Sequence, residues 1–108
     1  MIEKNVRHIY SMLLKKDYLQ IESLTQGIRL NANEIGDAIL EYGRVLTSYP
    51  DQINLDVIEI ENSNPKSWSI VAPVYTVEEG LSDLSIEITL IQSSKDQYKI
   101  ELDDIHVR

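Results

Sequence analysis

Two clusters of acidic side chains contain residue types from which a site can be built. Glu78, Glu79 and Asp83 fall in one short segment, and Asp103, Asp104 and His106 in another. If the strands flanking residues 92–97 pair antiparallel, the start of one lies near the end of the other. Asp83 then comes close to Asp103, Asp104 and His106. Carboxylate oxygens with one imidazole can hold a divalent cation. Two carboxylates and a histidine can equally move protons in acid–base chemistry. Neither chemistry has a motif behind it, since the chain has no EF-hand loop, no HExxH and no CxxC. The plainer reading has Asp83 capping a turn and Asp103 and Asp104 facing water at a strand end. No residue is therefore assigned as catalytic, cofactor-binding or metal-ligating, and no cofactor is expected. Glu78, Glu79, Asp83, Asp103, Asp104 and His106 stand instead as candidate interaction residues.

Other chemistries find less support. Ser82 is the serine nearest His106 on this pairing, but Gly80 belongs to EEGLS and not to a G-x-S-x-G nucleophile elbow. The four glycines, at 27, 36, 43 and 80, are too dispersed for a phosphate-binding loop. With no cysteine there is no disulfide, thiolate nucleophile or Cys-based zinc site. His8 sits beside an apolar stripe and reads as a surface or boundary residue. Trp68, Tyr42 and Tyr75 read as core or rim anchors, with the wall of a ligand cleft as their alternative role.

Charge narrows the class of partner. Ten Lys and Arg stand against eighteen Asp and Glu, a formal charge of -8. Residues 1–54 hold six basic and seven acidic side chains, whereas residues 55–108 hold four and eleven. Phosphate-backbone binding needs the opposite sign, so no nucleic-acid partner is expected. An acidic face suits a basic protein and would steer its approach, although net charge also serves solubility. No apolar run reaches the length of a membrane span, and no secretory signal is read at the start of the chain. The expected location is cytoplasmic, and the oligomeric state is left open.

The elements that must position these residues are legible from periodicity. A hydrophobic fraction of 43 % in 108 residues supports one domain with a core. Ile2, Val6, Ile9, Tyr10, Leu13 and Leu14 form one stripe, which predicts a helix over about 2–16. Asp17 as N-cap predicts a short helix over about 18–25, with Gly27 as its stop. Asn31 followed by Glu34 has the capping-box spacing and opens a helix over about 32–48. Gly43 inside that span suggests close approach of another backbone.

The period changes near residue 52. Strands are predicted over about 54–61, 67–75, 84–92 and 97–105, with 76–83 as a loop. Pro73 predicts a bulge or an edge position. Leu84, Ile86, Ile88 and Leu90 alternate with Ser85, Glu87, Thr89 and Ile91, and the helix from Asn31 is expected to lie across the first set. Short connections imply antiparallel neighbours. The fold class is α+β, with the N-terminal helices packed on one face of a four-stranded antiparallel sheet.

Four segments carry a resemblance. They are EYGR at 41–44, the Trp-Ser strand entering PVYT at 68–76, EEGLSDLSIEITL at 78–90 and the terminal LDDIHVR at 102–108. Together they resemble a family of small, mostly bacterial proteins of unknown function, over about residues 30–108. The shared pattern is a tryptophan strand, an EEG-S-DL segment and a closing acidic dipeptide before a hydrophobe, His and Val. Arg108 departs from the aliphatic residue expected there. Helices preceding a curved antiparallel sheet are also similar, in element order, to cystatin-like and nuclear-transport-factor-like folds. Neither resemblance implies an activity. The functional expectation is a small acidic interaction module, of the inhibitor or immunity type, docking on a basic protein. The alternative is a metal-dependent or acid–base enzyme or ligand-binding domain using Asp83, Asp103, Asp104 and His106.

Overall fold

A computed structural model describes residues 1–108. Three helices precede four strands: α1 (Ile2–Leu14), α2 (Tyr18–Thr25), α3 (Ala32–Tyr42), β1 (Asp56–Glu59), β2 (Ser67–Thr76), β3 (Gly80–Ser94) and β4 (Gln97–Val107). The strands form one antiparallel sheet in sequence order, and the helices cover one of its faces. The α+β architecture is therefore as the sequence predicts.

The helices form where apolar spacing and caps agree. In α1 the stripe Val6, Ile9, Tyr10 and Leu13 is buried, so the helix is held by tertiary packing of one face. Asp17 occupies the N-cap of α2 but its side chain makes no capping bond. The capping box of α3 is complete: the Asn31 side chain accepts from the Glu34 N–H, and the Glu34 carboxylate accepts from the Asn31 N–H.

α3 ends at Tyr42, short of the expected residue 48, because Gly43 adopts the left-handed conformation at φ 73°. The close approach is at Gly36 instead and comes from a side chain, since an added Cβ there would stand 3.2 Å from the Tyr18 ring. Beyond Gly43 the chain turns to the sheet edge. Thr47 N–H donates to the Tyr75 carbonyl at 2.9 Å, and Val77 N–H donates to the Val45 carbonyl at 2.8 Å. Residues 45–47 thus pair with the part of β2 that the four-residue β1 leaves open.

A cluster of tyrosines locks this crossing. The Tyr10 and Tyr49 rings stack with centroids 3.6 Å apart, and Tyr75 meets Tyr49 edge-on. The Tyr10 hydroxyl donates to the Thr47 carbonyl at 2.7 Å and accepts from the Tyr75 N–H at 2.9 Å. Tyr49 donates to the Pro73 carbonyl at 2.6 Å. Burial pushes the Tyr10 hydroxyl up to about 12 and Tyr49 further still.

The sheet is sorted by face. Ile70, Ile88 and Leu102 stand in register on the covered face, as do Ala72, Ile86 and Ile105; all six are buried. Leu84, Ile86, Ile88 and Leu90 are core residues, as their alternation predicts. α3 approaches β4 along its backbone, and its Ala38 and Tyr42 line a pocket together with Leu84 of β3 and Ile105 of β4. β3 begins at Gly80, so much of the expected 76–83 loop is strand. The bulge anticipated from Pro73 lies between Pro73 and Tyr75.

Candidate functional site

The opposite face of the sheet carries no helix. Its side chains follow from the register. Asp56, Val71, Glu87 and Asp104 form one row across all four strands, and Ile58, Ser69, Thr89 and Glu101 form the next. Ser85 faces His106 beyond the first row, and Ile91 faces Lys99 beyond the second. Acidic groups concentrate on the β3–β4 half of this face.

A bulge in β4 creates that concentration. Ile88 pairs with Leu102, but Glu87 pairs with Asp104, which leaves Asp103 as the extra residue. Two successive acidic residues therefore escape the core face, and Leu102 and Ile105 both remain buried. Asp103 accepts from the Thr89 hydroxyl at 2.5 Å, and the Arg29 guanidinium reaches it from the helix layer at 3.9 Å. Asp104 is oriented differently. Its Oδ1 accepts from the Ile105 N–H at 2.9 Å, which turns Oδ2 toward His106.

Glu87, Asp104 and His106 converge. The His106 Nδ1 lies 3.0 Å from Glu87 Oε2 and 3.1 Å from Asp104 Oδ2. The side chains are 35 % (His106), 34 % (Glu87) and 55 % (Asp104) exposed, so the group lies in the surface of the sheet. Even so, Nδ1 is itself buried and makes no hydrogen bond. At these distances it is direction that fails: neither oxygen is aligned for a hydrogen bond with Nδ1.

The remaining candidates lie elsewhere. Asp83 stands opposite Arg108, whose N–H donates to its carbonyl at 2.8 Å, and it is not part of the converging group. The hairpin turns at Lys95 and Asp96, and with the bulge this brings Ser85, not Asp83, opposite His106. Glu78 and Glu79 cap the turn between β2 and β3. Glu78 accepts from the Val45 N–H at 3.0 Å; Glu79 accepts from the Tyr42 hydroxyl at 2.9 Å and from the Thr76 hydroxyl at 3.1 Å. Both carboxylates remain exposed while tying this turn to the end of α3.

Ser82 is also engaged, donating to the Val74 carbonyl at 2.6 Å. No serine nucleophile arrangement forms around His106. Trp68 packs near Tyr98, Tyr75 against Tyr49, and Tyr42 onto Glu79, so these three aromatics share no cleft wall. An apolar groove of about 540 Å³ lies instead among Leu13, Tyr18, Ile39, Leu40 and Val45. No helix is long and apolar enough to cross a membrane.

Glu87 is the residue that sequence reasoning missed. Its signal is its place in the LSIEITLI alternation, on the same face as Thr89. The chain belongs to the DUF7668 family, a domain of unknown function matched over residues 10–108. No curated protein and no solved structure matches the chain. The DUF7668 description carries no activity, so function rests on the geometry of the sheet face.

Proposed function

We propose that this protein is an interaction module, of the inhibitor or immunity type, that docks on a basic protein partner through the uncovered face of its sheet. The observation that carries this reading is the charge of that face. Asp56, Glu87, Glu101, Asp103 and Asp104 lie on it, against Lys99 and His106, with Arg29 reaching only its edge. Val71, Pro73 and Ile91 supply a partly exposed apolar strip beside the acidic half. Apolar contact next to a ring of one charge is the composition of a steered docking surface. A sheet of four hydrogen-bonded strands also offers a rigid platform, which lowers the ordering cost of association.

The experiment begins with partners isolated from the native cell and continues with the purified pair. Charge reversal at Glu101 and Asp104 should slow association by about tenfold or more and flatten its dependence on salt. Reversal at Asp37 on α3 should change neither. A partner that binds both variants equally, or one that is itself acidic, would overturn the reading.

A further inference from the structure

The geometry points to a divalent transition-metal site formed by Glu87 Oε2, Asp104 Oδ2 and His106 Nδ1 on the uncovered face of β3 and β4. This goes beyond docking, because it concerns what the face holds when no partner is present. Three observations converge on it.

The first is spacing. Neighbouring ligands on an octahedron with bonds of about 2.1 Å sit about 3.0 Å apart. The two distances from Nδ1 are 3.0 and 3.1 Å, and all three ligand atoms lie within 4.8 Å of one another. The second is direction. The imidazole nitrogen is buried and makes no hydrogen bond, although two carboxylate oxygens stand 3.0 and 3.1 Å from it. A buried imidazole nitrogen without a hydrogen-bond partner, beside two carboxylate oxygens, is satisfied by a cation that all three ligate. The third is support. The Ile105 N–H fixes Asp104 through its other oxygen, and paired strands hold all three ligands. Such outer contacts orient ligands and sharpen affinity.

The donor set selects the ion. One imidazole with two carboxylates favours Zn²⁺, Mn²⁺, Co²⁺ or Ni²⁺. Ca²⁺ prefers six to eight oxygens, and Mg²⁺ rarely takes an imidazole. Three protein ligands at an open face would leave coordination positions for water or for a partner's donor, as in zinc sites that do chemistry. Asp103 is not among the converging ligands: Thr89 engages its Oδ2.

The test is a titration of the chelator-treated protein with Zn²⁺, and separately with Mn²⁺, by calorimetry and by NMR of the histidine rings. One cation should bind per chain, shifting the His106 ring signals and leaving those of His8 in place. Glu87→Gln and Asp104→Asn should each weaken binding by about tenfold or more, and His106→Ala should abolish the one-to-one step. Glu87→Gln is nearly isosteric, so an unchanged far-ultraviolet circular dichroism spectrum separates lost ligation from lost folding. Binding that survives His106→Ala, or a His106 ring unmoved at millimolar cation, would overturn the proposal. The titration uses the chain alone, so its failure would leave the docking reading standing, and a failed docking experiment would leave this one standing.

Discussion

The two faces of β3 and β4 are written in the same residues and do opposite work. Ile86, Ile88 and Leu90 alternate with Ser85, Glu87 and Thr89 along one strand. The first set is closed off by helices and anchors the fold. The second set faces outward, where it gathers charge that the core could not accept. β4 follows the same logic until Asp103, where the bulge inserts one residue and lets two acidic side chains share the outer face. The comparison teaches that stability and chemistry are separable here at the spacing of a single residue.

The strongest way to break that comparison is to truncate the covered face. Ile88 is 1 % exposed and pairs with Leu102 beneath the helices. Ile88→Ala should cost about 2–5 kcal/mol, the combined loss of transfer energy and the cavity left behind. Urea unfolding checks it. A cost below about 0.5 kcal/mol would mean that the face is not packed as described.

A second test concerns the tyrosine crossing, which joins α1 to the sheet edge. Tyr10→Phe removes a buried hydroxyl that serves Thr47 and Tyr75, leaving the Tyr75 N–H without that partner. The expected loss is about 1–3 kcal/mol. The same cluster sets an alkaline limit. Burial raises the Tyr10 hydroxyl from 10.0 to about 12, so the folded state keeps its proton where the unfolded chain has lost it. Proton release then favours unfolding. The stabilisation is complete below about pH 10 and falls as pH rises toward 12. Thermal melts should show the midpoint dropping through that window, and Tyr49→Phe should blunt the drop. A midpoint constant up to pH 12 would contradict the burial of both hydroxyls.

Much of this architecture can be read from the chain, and the places where reading stops have physical causes. Period and caps are local, so the stripe of α1, the Asn31–Glu34 box and the alternation of β3 announce themselves. Gly43 does not. Val45 and Leu46 continue the helical spacing past it, and only the φ of 73° shows that the glycine ends the helix. Of the converging group, Asp104 and His106 are visible as a terminal cluster, but Glu87 is not. Its partnership depends on where the hairpin turns and on one bulge, and an error of two residues in that count keeps the face while exchanging the neighbour. The tyrosine cluster is out of reach for a different reason: residues 10, 49 and 75 share no local pattern, and only tertiary packing joins them.

A smaller effect is expected at the start of α3. Asn31→Ala removes the acceptor of the Glu34 N–H and breaks the capping box. It should cost about 0.5–2 kcal/mol in urea unfolding. Asn31 and Glu34 bond to each other and not to Glu87, Asp104 or His106, so the variant should leave His106 ring signals and cation affinity unchanged.

The smallest stability effect should come from the residue next to the most sensitive one. Glu87 adjoins Ile88 in sequence but lies on the other face, 34 % exposed, beside His106 and in the same row as Asp104. Glu87→Gln removes an attraction to the imidazole when that ring is charged, and a repulsion from Asp104. Partly exposed pairs of this kind contribute about 0–1 kcal/mol, and here the two terms oppose each other. The urea midpoint should therefore stay within about 0.5 kcal/mol of the parent. Set beside Ile88→Ala, this pair of variants measures the separation of the two faces directly. Equal costs at positions 87 and 88 would mean that Glu87 is a structural contact, and that the outer face is part of what holds the sheet together.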